Sequence, residues 1–187
     1  KISAYDLTFD DLVSEAAKLY VPVVLSTAMA TWEEITWAVQ SAWTANREID
    51  LVLLHGVAQY PSRLKEQNLT TIKKITDLFV RRSGLSDHTL GHEAAMLAVA
   101  LGATWIEKHF RVMDVDASRI LPNNWTGPFT SNPDWPVSAD PFHFAMLVGA
   151  CTRAQQALGT GSKDGPLPCE QELYATARRT NEKRLRG

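Results

Sequence analysis

The stretch GLSDHTLGHEAAMLAVALGATWIEKHF, residues 84–110, holds one complete strand–helix–strand pattern. Residues 84–89 predict a short strand and a turn, residues 92–103 predict an apolar helix, and residues 104–110 predict a second strand. Two strands joined by a helix pair in parallel, because the helix carries the chain back to the end from which the first strand started. The stretch therefore predicts an α/β fold built on a parallel sheet.

The same alternation runs through most of the chain. Further strands are predicted at residues 1–5, 21–28 and 51–57, and further helices at residues 8–20, 31–46, 68–82 and 140–159. Thr8, with Asp11 three residues later, and Thr31, with Glu34 three residues later, are candidate helix caps. Strict alternation of strands and helices favours a parallel sheet with the helices outside.

Two architectures have such a sheet, the doubly wound fold and the (β/α)8 barrel. A dinucleotide-binding doubly wound sheet carries a glycine fingerprint after its first strand, and this sequence has none there. In a barrel, the chemistry lies at the C-terminal ends of the strands. Polar residues cluster at those ends here: Ser26-Thr27, His55, Ser86-Asp87-His88 and Glu107-Lys108-His109. The sequence favours a TIM-type (β/α)8 barrel, with five of its units in residues 1–160 and a polar tail in residues 161–187.

A long connection follows the last predicted strand. Residues 111–139 show no clear periodicity. Loops of this length inside a compact domain are usually lids, binding loops or disordered segments. We expect this one to lie over the mouth of the site.

Composition excludes several classes of protein. The chain has 187 residues, is 45% hydrophobic and carries a formal net charge of −2. Neither a nucleic acid nor a membrane is therefore expected as a partner. The cysteines Cys151 and Cys169 do not make a disulfide framework or a zinc quartet. We expect a reduced, cytoplasmic protein.

His88 and His109 end two consecutive predicted strands, 21 residues apart. Adjacent strands lie about 4.8 Å apart, so the two imidazoles can converge on one point. Two neutral imidazoles suit an open site for a divalent ion. The alternative is that each histidine merely makes a hydrogen bond at its strand end. His92 falls in the following helix, where ligation is less favoured.

Ser26, Ser86 and Lys1 also lie at or near strand ends. Small hydroxyls, backbone N–H groups and a lysine at a barrel mouth suit a phosphate group. Ordinary solvation of strand ends is the alternative, and the spacing alone does not separate the two.

Several segments resemble the sialic acid synthase family, which makes N-acetylneuraminate and related nonulosonates and includes spore-coat polysaccharide synthases. They are KISAYDLT, PVVLSTAMATWEEI, LVLLHGVAQYP, GLSDHTLGHEAAMLAVALGATWIEKHF and NPDWPVSADPFHFAMLV. The resemblance covers about residues 1–180. Its most specific element is SDHTLG followed by IEKHF at the family's distance.

The resemblance implies a (β/α)8 barrel that condenses phosphoenolpyruvate with an N-acetylated amino sugar and releases phosphate. It implies that His88 and His109 bind a divalent metal, Mn or Mg. It also implies phosphoenolpyruvate binding by three residues and a catalytic role for two acids. The phosphoenolpyruvate-binding residues are Lys1, Ser26 and Ser86. The catalytic acids are Asp6, near the reacting carbons, and Asp134, near the metal and sugar.

The sequence also departs from the family. It aligns with the barrel's strands 4–8 only, and residues 161–187 do not match the family's antifreeze-like domain. Ala4, Ala58 and Asn132 replace residues that members use to contact substrate or shape a turn. The chain begins without Met, and we expect it to be part of a longer protein or a shortened family member.

Three readings of the function remain open. The first is a sialic acid synthase-like enzyme whose barrel is completed by another chain or by self-association into a homo-oligomer. The second is a catalytically incomplete homologue that serves as an interaction domain. The third is another phosphoenolpyruvate-condensing barrel, which would share the chemistry but not the SDHTLG stretch.

Overall fold

The computed structural model describes residues 1–79, 82–111 and 133–177. The chain divides into two compact units, Lys1–Ala157 and Leu158–Gly187. The long predicted connection lies largely outside the described residues, because residues 112–132 are not among them.

The first unit is built on four parallel strands that pair in the order β1-β2-β3-β4. These strands are β1 (Val23–Ser26), β2 (Leu51–Gly56), β3 (Arg82–Asp87) and β4 (Trp105–Lys108). Each strand pairs with the next one in the sequence, and a helix connects each consecutive pair. The predicted parallel α/β arrangement is confirmed, and it has the form of a half-barrel.

Helices follow the predicted pattern, with shorter bounds. They are α1 (Asp10–Ala17), α2 (Trp32–Ala45), α3 (Thr70–Phe79), α4 (Glu93–Ala100), α5 (Pro141–Leu158) and, in the second unit, α6 (Gln171–Ala177). Short 3-10 helices lie at Ala4–Asp6, Leu64–Glu66, Trp135–Val137 and Pro168–Glu170. No helix in the described part of the chain combines the length and apolar character needed to cross a membrane.

The strand predicted at residues 1–5 is wrong in extent. Ile2 alone pairs with Leu25, and its N–H donates to the carbonyl of Val24 at 2.8 Å. The chain then turns, because the Asp6 N–H donates to the Ser3 carbonyl and the Ser3 hydroxyl donates to the Asp6 carboxylate at 2.9 Å. These local hydrogen bonds compete with the hydrogen bonds of a strand, so only Ile2 pairs with β1.

A second single bridge lies at the opposite edge of the sheet, beside β4. Phe110 pairs in parallel with Ala139. The Ala139 N–H donates to the His109 carbonyl at 2.7 Å, and the Arg111 N–H donates to the Ala139 carbonyl at 2.9 Å. The backbone beyond the end of β4 is therefore held in the direction of the strand.

One predicted cap is confirmed and the other is wrong. At α2 the Glu34 N–H donates to the Thr31 hydroxyl at 3.2 Å, and the Thr31 N–H donates to the Glu34 carboxylate at 2.7 Å, which is a capping box. At α1 the residue before the helix is Phe9, and no side chain caps it. The Phe9 N–H is already bonded to the carbonyl of Asp6, so the turn runs past Thr8 before the helix begins.

The sheet has two faces that differ in what covers them. On the helix face, alternate strand residues such as Leu25 and Leu53 join a core with residues of α1, α2 and α3. On the opposite face, Val24, Val52 and Leu54 form a separate buried cluster. Strands that are buried on both faces explain why the sequence shows continuous apolar runs there and no alternation.

A single ion pair shows that this opposite face is concave. Lys1 precedes the segment that pairs with β1 at one edge, and Glu107 lies on β4, the strand farthest from it. In a flat sheet, four strand-to-strand steps cover about 19 Å, more than the two side chains can span. Nevertheless the Lys1 Nζ lies 2.9 Å from the Glu107 Oε2, so the sheet curls and brings its edges together across the concave face.

The two threonines provide a matched test of the helix caps. Thr31→Ala should lower the free energy of unfolding by about 1 kcal/mol, because it removes the side-chain bond to the Glu34 N–H. Thr8→Ala should change it by less than about 0.5 kcal/mol, because the exposed Thr8 does not cap α1. Urea denaturation of both variants measures the difference. Equal losses would contradict the assignment of the caps.

Candidate active site on the concave face

The pairing of β3 with β4 brings the predicted site residues together. The register pairs Ser86 with Glu107 and Asp87 with Lys108, so the next residues along the two strands are His88 and His109. Side chains alternate between the faces of a strand. The first and third pairs therefore share the concave face, and the two imidazole centroids lie 5.3 Å apart.

Glu107 connects the predicted phosphate-binding residues. Its Oε2 accepts a hydrogen bond from the Lys1 Nζ at 2.9 Å and another from the Ser86 hydroxyl at 2.8 Å. Burial raises the pKa of this carboxyl, but the two hydrogen bonds and the charges of Lys1 and His109 outweigh it, so the pKa lies below its ordinary value. Glu107 is thus a carboxylate at neutral pH, and it holds the Lys1 ammonium over the concave face.

His88 is buried and fixed in one orientation. Its Nδ1 lies 2.8 Å from the carbonyl of Val57. A carbonyl can only accept, so Nδ1 carries the proton and Nε2 keeps its lone pair. Burial lowers the pKa of His88 below its ordinary value, with the charges of His109 and Lys108 acting in the same direction. The neutral imidazole with a free Nε2 is the form that binds a metal.

Tyr60 packs against both histidines. Its ring centroid lies 4.2 Å from that of His88 and 5.6 Å from that of His109. Burial raises the pKa of its hydroxyl, and Tyr5 and the carboxylates of Asp134 and Glu107 raise it further. Tyr60 therefore stays a neutral phenol that adds an aromatic wall to the site.

Asp134 approaches the site from the segment before α5. Its Oδ2 lies 3.8 Å from the Nδ1 of His109, and its side chain is half-exposed. Across the described ranges 1–79, 82–111 and 133–177, no three His, Cys, Asp or Glu side chains converge closely enough to hold a metal ion. The donor set in this part of the chain is thus a pair of imidazoles with one carboxylate nearby.

The two remaining predicted site residues, Ser26 and Asp6, lie outside the hydrogen-bonded group around Glu107. Ser26 ends β1 and is buried, on the same face as Val24 by alternation. Asp6 is exposed in the turn after Ile2, where it accepts a bond from Ser3. Contacts among the described residues do not connect Asp6 with Glu107 or with the histidine pair.

The other histidines do not join this cluster. His55, on β2, is buried and has its Nε2 2.6 Å from the carbonyl of Gln67. His92 precedes α4 and does not cap it with its side chain. His143 pairs with Asp140 at 2.8 Å at the start of α5.

The amino-acid sequence of this chain matches a known protein family. The family model described as "NeuB family" matches residues 1–163. The chain belongs to the NeuB family. This match confirms the family resemblance that the SDHTLG and IEKHF segments indicated.

Several relatives of this NeuB-family chain are named as sugar-acid synthases. A pseudaminic acid synthase of Helicobacter pylori is 38% identical over 59% of this chain and 32% of its own length. An N,N'-diacetyllegionaminic acid synthase of Legionella pneumophila is 33% identical over 96% of this chain and 47% of its own length. The chain spans half or less of the length of these curated relatives.

A crystal structure shows a similar fold. The N-acetylneuraminic acid (sialic acid) synthetase from Leptospira borgpetersenii serovar Hardjo-bovis, in complex with citrate, superposes with a TM-score of 0.75 at 32% identity. The match covers 96% of this chain and 58% of that protein. The half-barrel of the NeuB-family chain therefore corresponds to a part of a larger synthase.

Two residues of the site were not among the predicted site residues. Glu107 lies on β4 at the same 21-residue spacing from Ser86 that separates His109 from His88. Strand alternation applied to both pairs could have identified it. Tyr60 follows β2 in a loop, and no periodic signal in the sequence marks it.

The lowered pKa of Glu107 predicts a pH effect on stability. Folding favours the ionised carboxylate, so its contribution is complete above the ordinary pKa of 4.5 and is lost as the pH falls through the lower folded-state value. Glu107→Gln should therefore lose less stability than the wild type between about pH 6 and about pH 3. Urea denaturation at both pH values measures this.

The control for this experiment is Glu15→Gln, which removes an exposed carboxylate paired with Lys18 on α1. It should keep the acid sensitivity of the wild type, because exposed pairs contribute little. If Glu107→Gln loses as much stability in acid as the wild type does, the Glu107 carboxylate of the wild type is not stabilised by Lys1 and Ser86.

Proposed function

We propose that the protein condenses phosphoenolpyruvate with an N-acetylated amino sugar of the N-acetylmannosamine type, giving a nonulosonic acid and phosphate. The observation that carries the proposal is the convergence of the His88–His109 pair with Lys1, Ser86 and Glu107 on one concave face. Membership of the NeuB family supports it, as do relatives named pseudaminic and N,N'-diacetyllegionaminic acid synthases.

The half-barrel is proposed to be the C-terminal five units of a TIM-type (β/α)8 barrel. The curl required by the Lys1–Glu107 contact supports this, because the strands of a barrel wall must curve around the barrel axis. The site residues lie at the C-terminal ends of the strands, where such barrels carry their chemistry.

His88 and His109 would hold a divalent ion, Mn or Mg. Their donor chemistry fits: the His88 Nε2 keeps a lone pair, the two imidazole centroids lie 5.3 Å apart, and the Asp134 carboxylate lies 3.8 Å from the His109 Nδ1. The bound ion would supply Lewis acidity to polarise the sugar aldehyde. The protein residues hold the reactants and place their charges.

Lys1, Ser26 and Ser86 would bind phosphoenolpyruvate through its negatively charged groups. Glu107 holds the Lys1 ammonium and the Ser86 hydroxyl side by side. The ammonium keeps N–H donors beyond the one that bonds to Glu107, and an anion can accept from them. C3 of the enol forms a bond to the aldehyde carbon, water adds to C2, and the C–O bond to phosphate breaks. Asp134, beside His109, and Asp6 are the proposed acids that move protons in these steps.

Release of phosphate from phosphoenolpyruvate tests the reaction. The 187-residue chain is incubated with phosphoenolpyruvate, Mn²⁺ and N-acetylmannosamine or its N,N'-diacetylated analogues, and phosphate and the nonulosonic acid are measured. Product is expected only with an amino sugar present. Equal phosphate release with and without the amino sugar would refute the proposal. Equal product formation by His109→Ala and the wild type would also refute it.

Mn²⁺ binding tests the metal site without relying on turnover. His88→Ala and His109→Ala should each weaken Mn²⁺ binding by more than about 10-fold, since even outer-shell partners of a metal site contribute that much. His143→Ala is the control, because His143 pairs with Asp140 and stands apart from the site. Electron paramagnetic resonance of the free ion measures the affinity. If neither site variant loses affinity, the two histidines do not bind the metal.

A second candidate is a catalytically incomplete homologue that acts as an interaction domain or is completed by a second chain. It is favoured by one observation: Asp6, one of the proposed acids, is exposed and accepts a hydrogen bond from Ser3 in the turn after Ile2. Native mass spectrometry with the activity assay separates the two. A second chain or copy in the active species supports completion of the barrel, and a monomer with Mn²⁺ bound but no turnover supports the incomplete homologue.

A further inference from the structure

A buried ion pair lies directly behind the two histidines. Asp87 ends β3 and Lys108 ends β4, and the register places them opposite one another. Their side chains are 0% and 4% exposed, and the Lys108 Nζ lies 3.1 Å from the Asp87 Oδ2. Alternation places this pair on the helix face, one residue before His88 and His109 and on the opposite side of the sheet.

The pair is part of a network that fixes the backbone after His88. The other oxygen of Asp87, Oδ1, accepts from the Thr89 N–H at 2.8 Å and from the Thr89 hydroxyl at 2.7 Å. The Lys108 ammonium also donates to the carbonyl of Thr89. Every contact of this network therefore falls on a residue next to one of the two histidines.

Burial of such a pair is not explained by stability alone. Two charges removed from water lose hydration that their mutual attraction only partly restores, so a buried pair is weak support for a fold. A network that is fully satisfied, however, holds its members in one geometry. The pair lies between the strand ends that carry the two histidines. The geometry that it fixes is therefore that of these strand ends.

We propose that the Asp87–Lys108 pair is a positioning device that sets the separation and orientation of His88 and His109 for metal binding. The inference rests on the metal site of the proposed function. Neither residue contacts the reacting atoms, because both lie on the helix face.

Each histidine is held from two directions by this arrangement. For His88, Thr89 is fixed on one side, and on the other the Val57 carbonyl accepts from the ring while the Ser62 N–H donates to the backbone carbonyl at 3.0 Å. For His109, Lys108 is fixed before it, and the bond to the Ala139 N–H is made after it. Loss of the ammonium removes the side-chain link between the end of β3 and the end of β4.

The test is Mn²⁺ affinity of Lys108→Met, which keeps the length of the side chain and removes its charge. The variant should bind Mn²⁺ about 10- to 100-fold more weakly than the wild type, as expected when an outer-shell partner is removed. With Co²⁺ in place of Mn²⁺, the visible d–d spectrum should change, because it reports the geometry of the ligands. Both measurements are made on the whole 187-residue chain.

Two controls separate position from stability. Arg82→Met removes a second charged residue that joins neighbouring strands, since Arg82 pairs with Asp50 at the opposite end of β3. Ile75→Val destabilises the buried core at α3, away from the histidines. Both should keep the wild-type Mn²⁺ affinity and Co²⁺ spectrum, while thermal unfolding records how far each variant is destabilised.

The outcomes are distinguishable. If the wild type and controls bind Mn²⁺ and Lys108→Met binds equally well with an unchanged Co²⁺ spectrum, the positioning role is wrong and the metal site stands. If the wild type does not bind Mn²⁺, the metal site and this inference fail together. If affinity falls in Ile75→Val as much as in Lys108→Met at equal loss of stability, the pair is merely structural.

A milder variant decides the case in which Lys108→Met does not fold. Thr89→Val keeps both charges and removes only the hydroxyl that donates to Asp87. A several-fold loss of Mn²⁺ affinity relative to Ile75→Val supports the inference. Unchanged affinity and an unchanged Co²⁺ spectrum overturn it.

Discussion

The parallel register between β3 and β4 is the constraint on which the site depends. It pairs Ser86 with Glu107 and Asp87 with Lys108, and the histidines follow. Because consecutive side chains point to opposite faces, this one register supplies the hydrogen-bonded Ser86–Glu107 pair, a buried ion pair and an imidazole pair in three successive steps. The alignment of these two strands therefore determines which side chains form the site.

Curvature of the sheet supplies what register alone cannot. Lys1 and Glu107 are 106 residues apart in sequence and occupy opposite edges of the sheet, yet their side chains meet. The apolar cluster of Val24, Val52 and Leu54 fills the concave face beneath them. The polar groups lie at the rim of this face, where the Lys1 and Glu107 side chains are 36% and 38% exposed and solvent screens their attraction.

Much of this was readable from the sequence, and the failures have physical causes. Continuous apolar runs identified the buried strands, and the Thr31–Glu34 pattern identified the start of α2. The strand at residues 1–5 was overestimated because Ser3 and Asp6 bond locally and turn the chain. Glu107 shares the 21-residue spacing of the histidines and could have been predicted beside Ser86, whereas its contact with Lys1 joins residues 106 apart in sequence, which no local spacing reveals. Phosphoenolpyruvate binding by Lys1, Ser26 and Ser86 stays a prediction. So do the catalytic roles of Asp6 and Asp134 and the ligation of a metal by His88 and His109.

The alternation at the ends of β3 and β4 also restricts how this protein can diverge. Residues gained or lost within α4 or its loops leave the strand pairing intact, because register is set by the strands themselves. A one-residue insertion inside either strand would instead turn a histidine into the helix layer and a buried charge onto the concave face. The connecting segments can therefore drift in length over evolution, whereas the two strand ends must be inherited in phase.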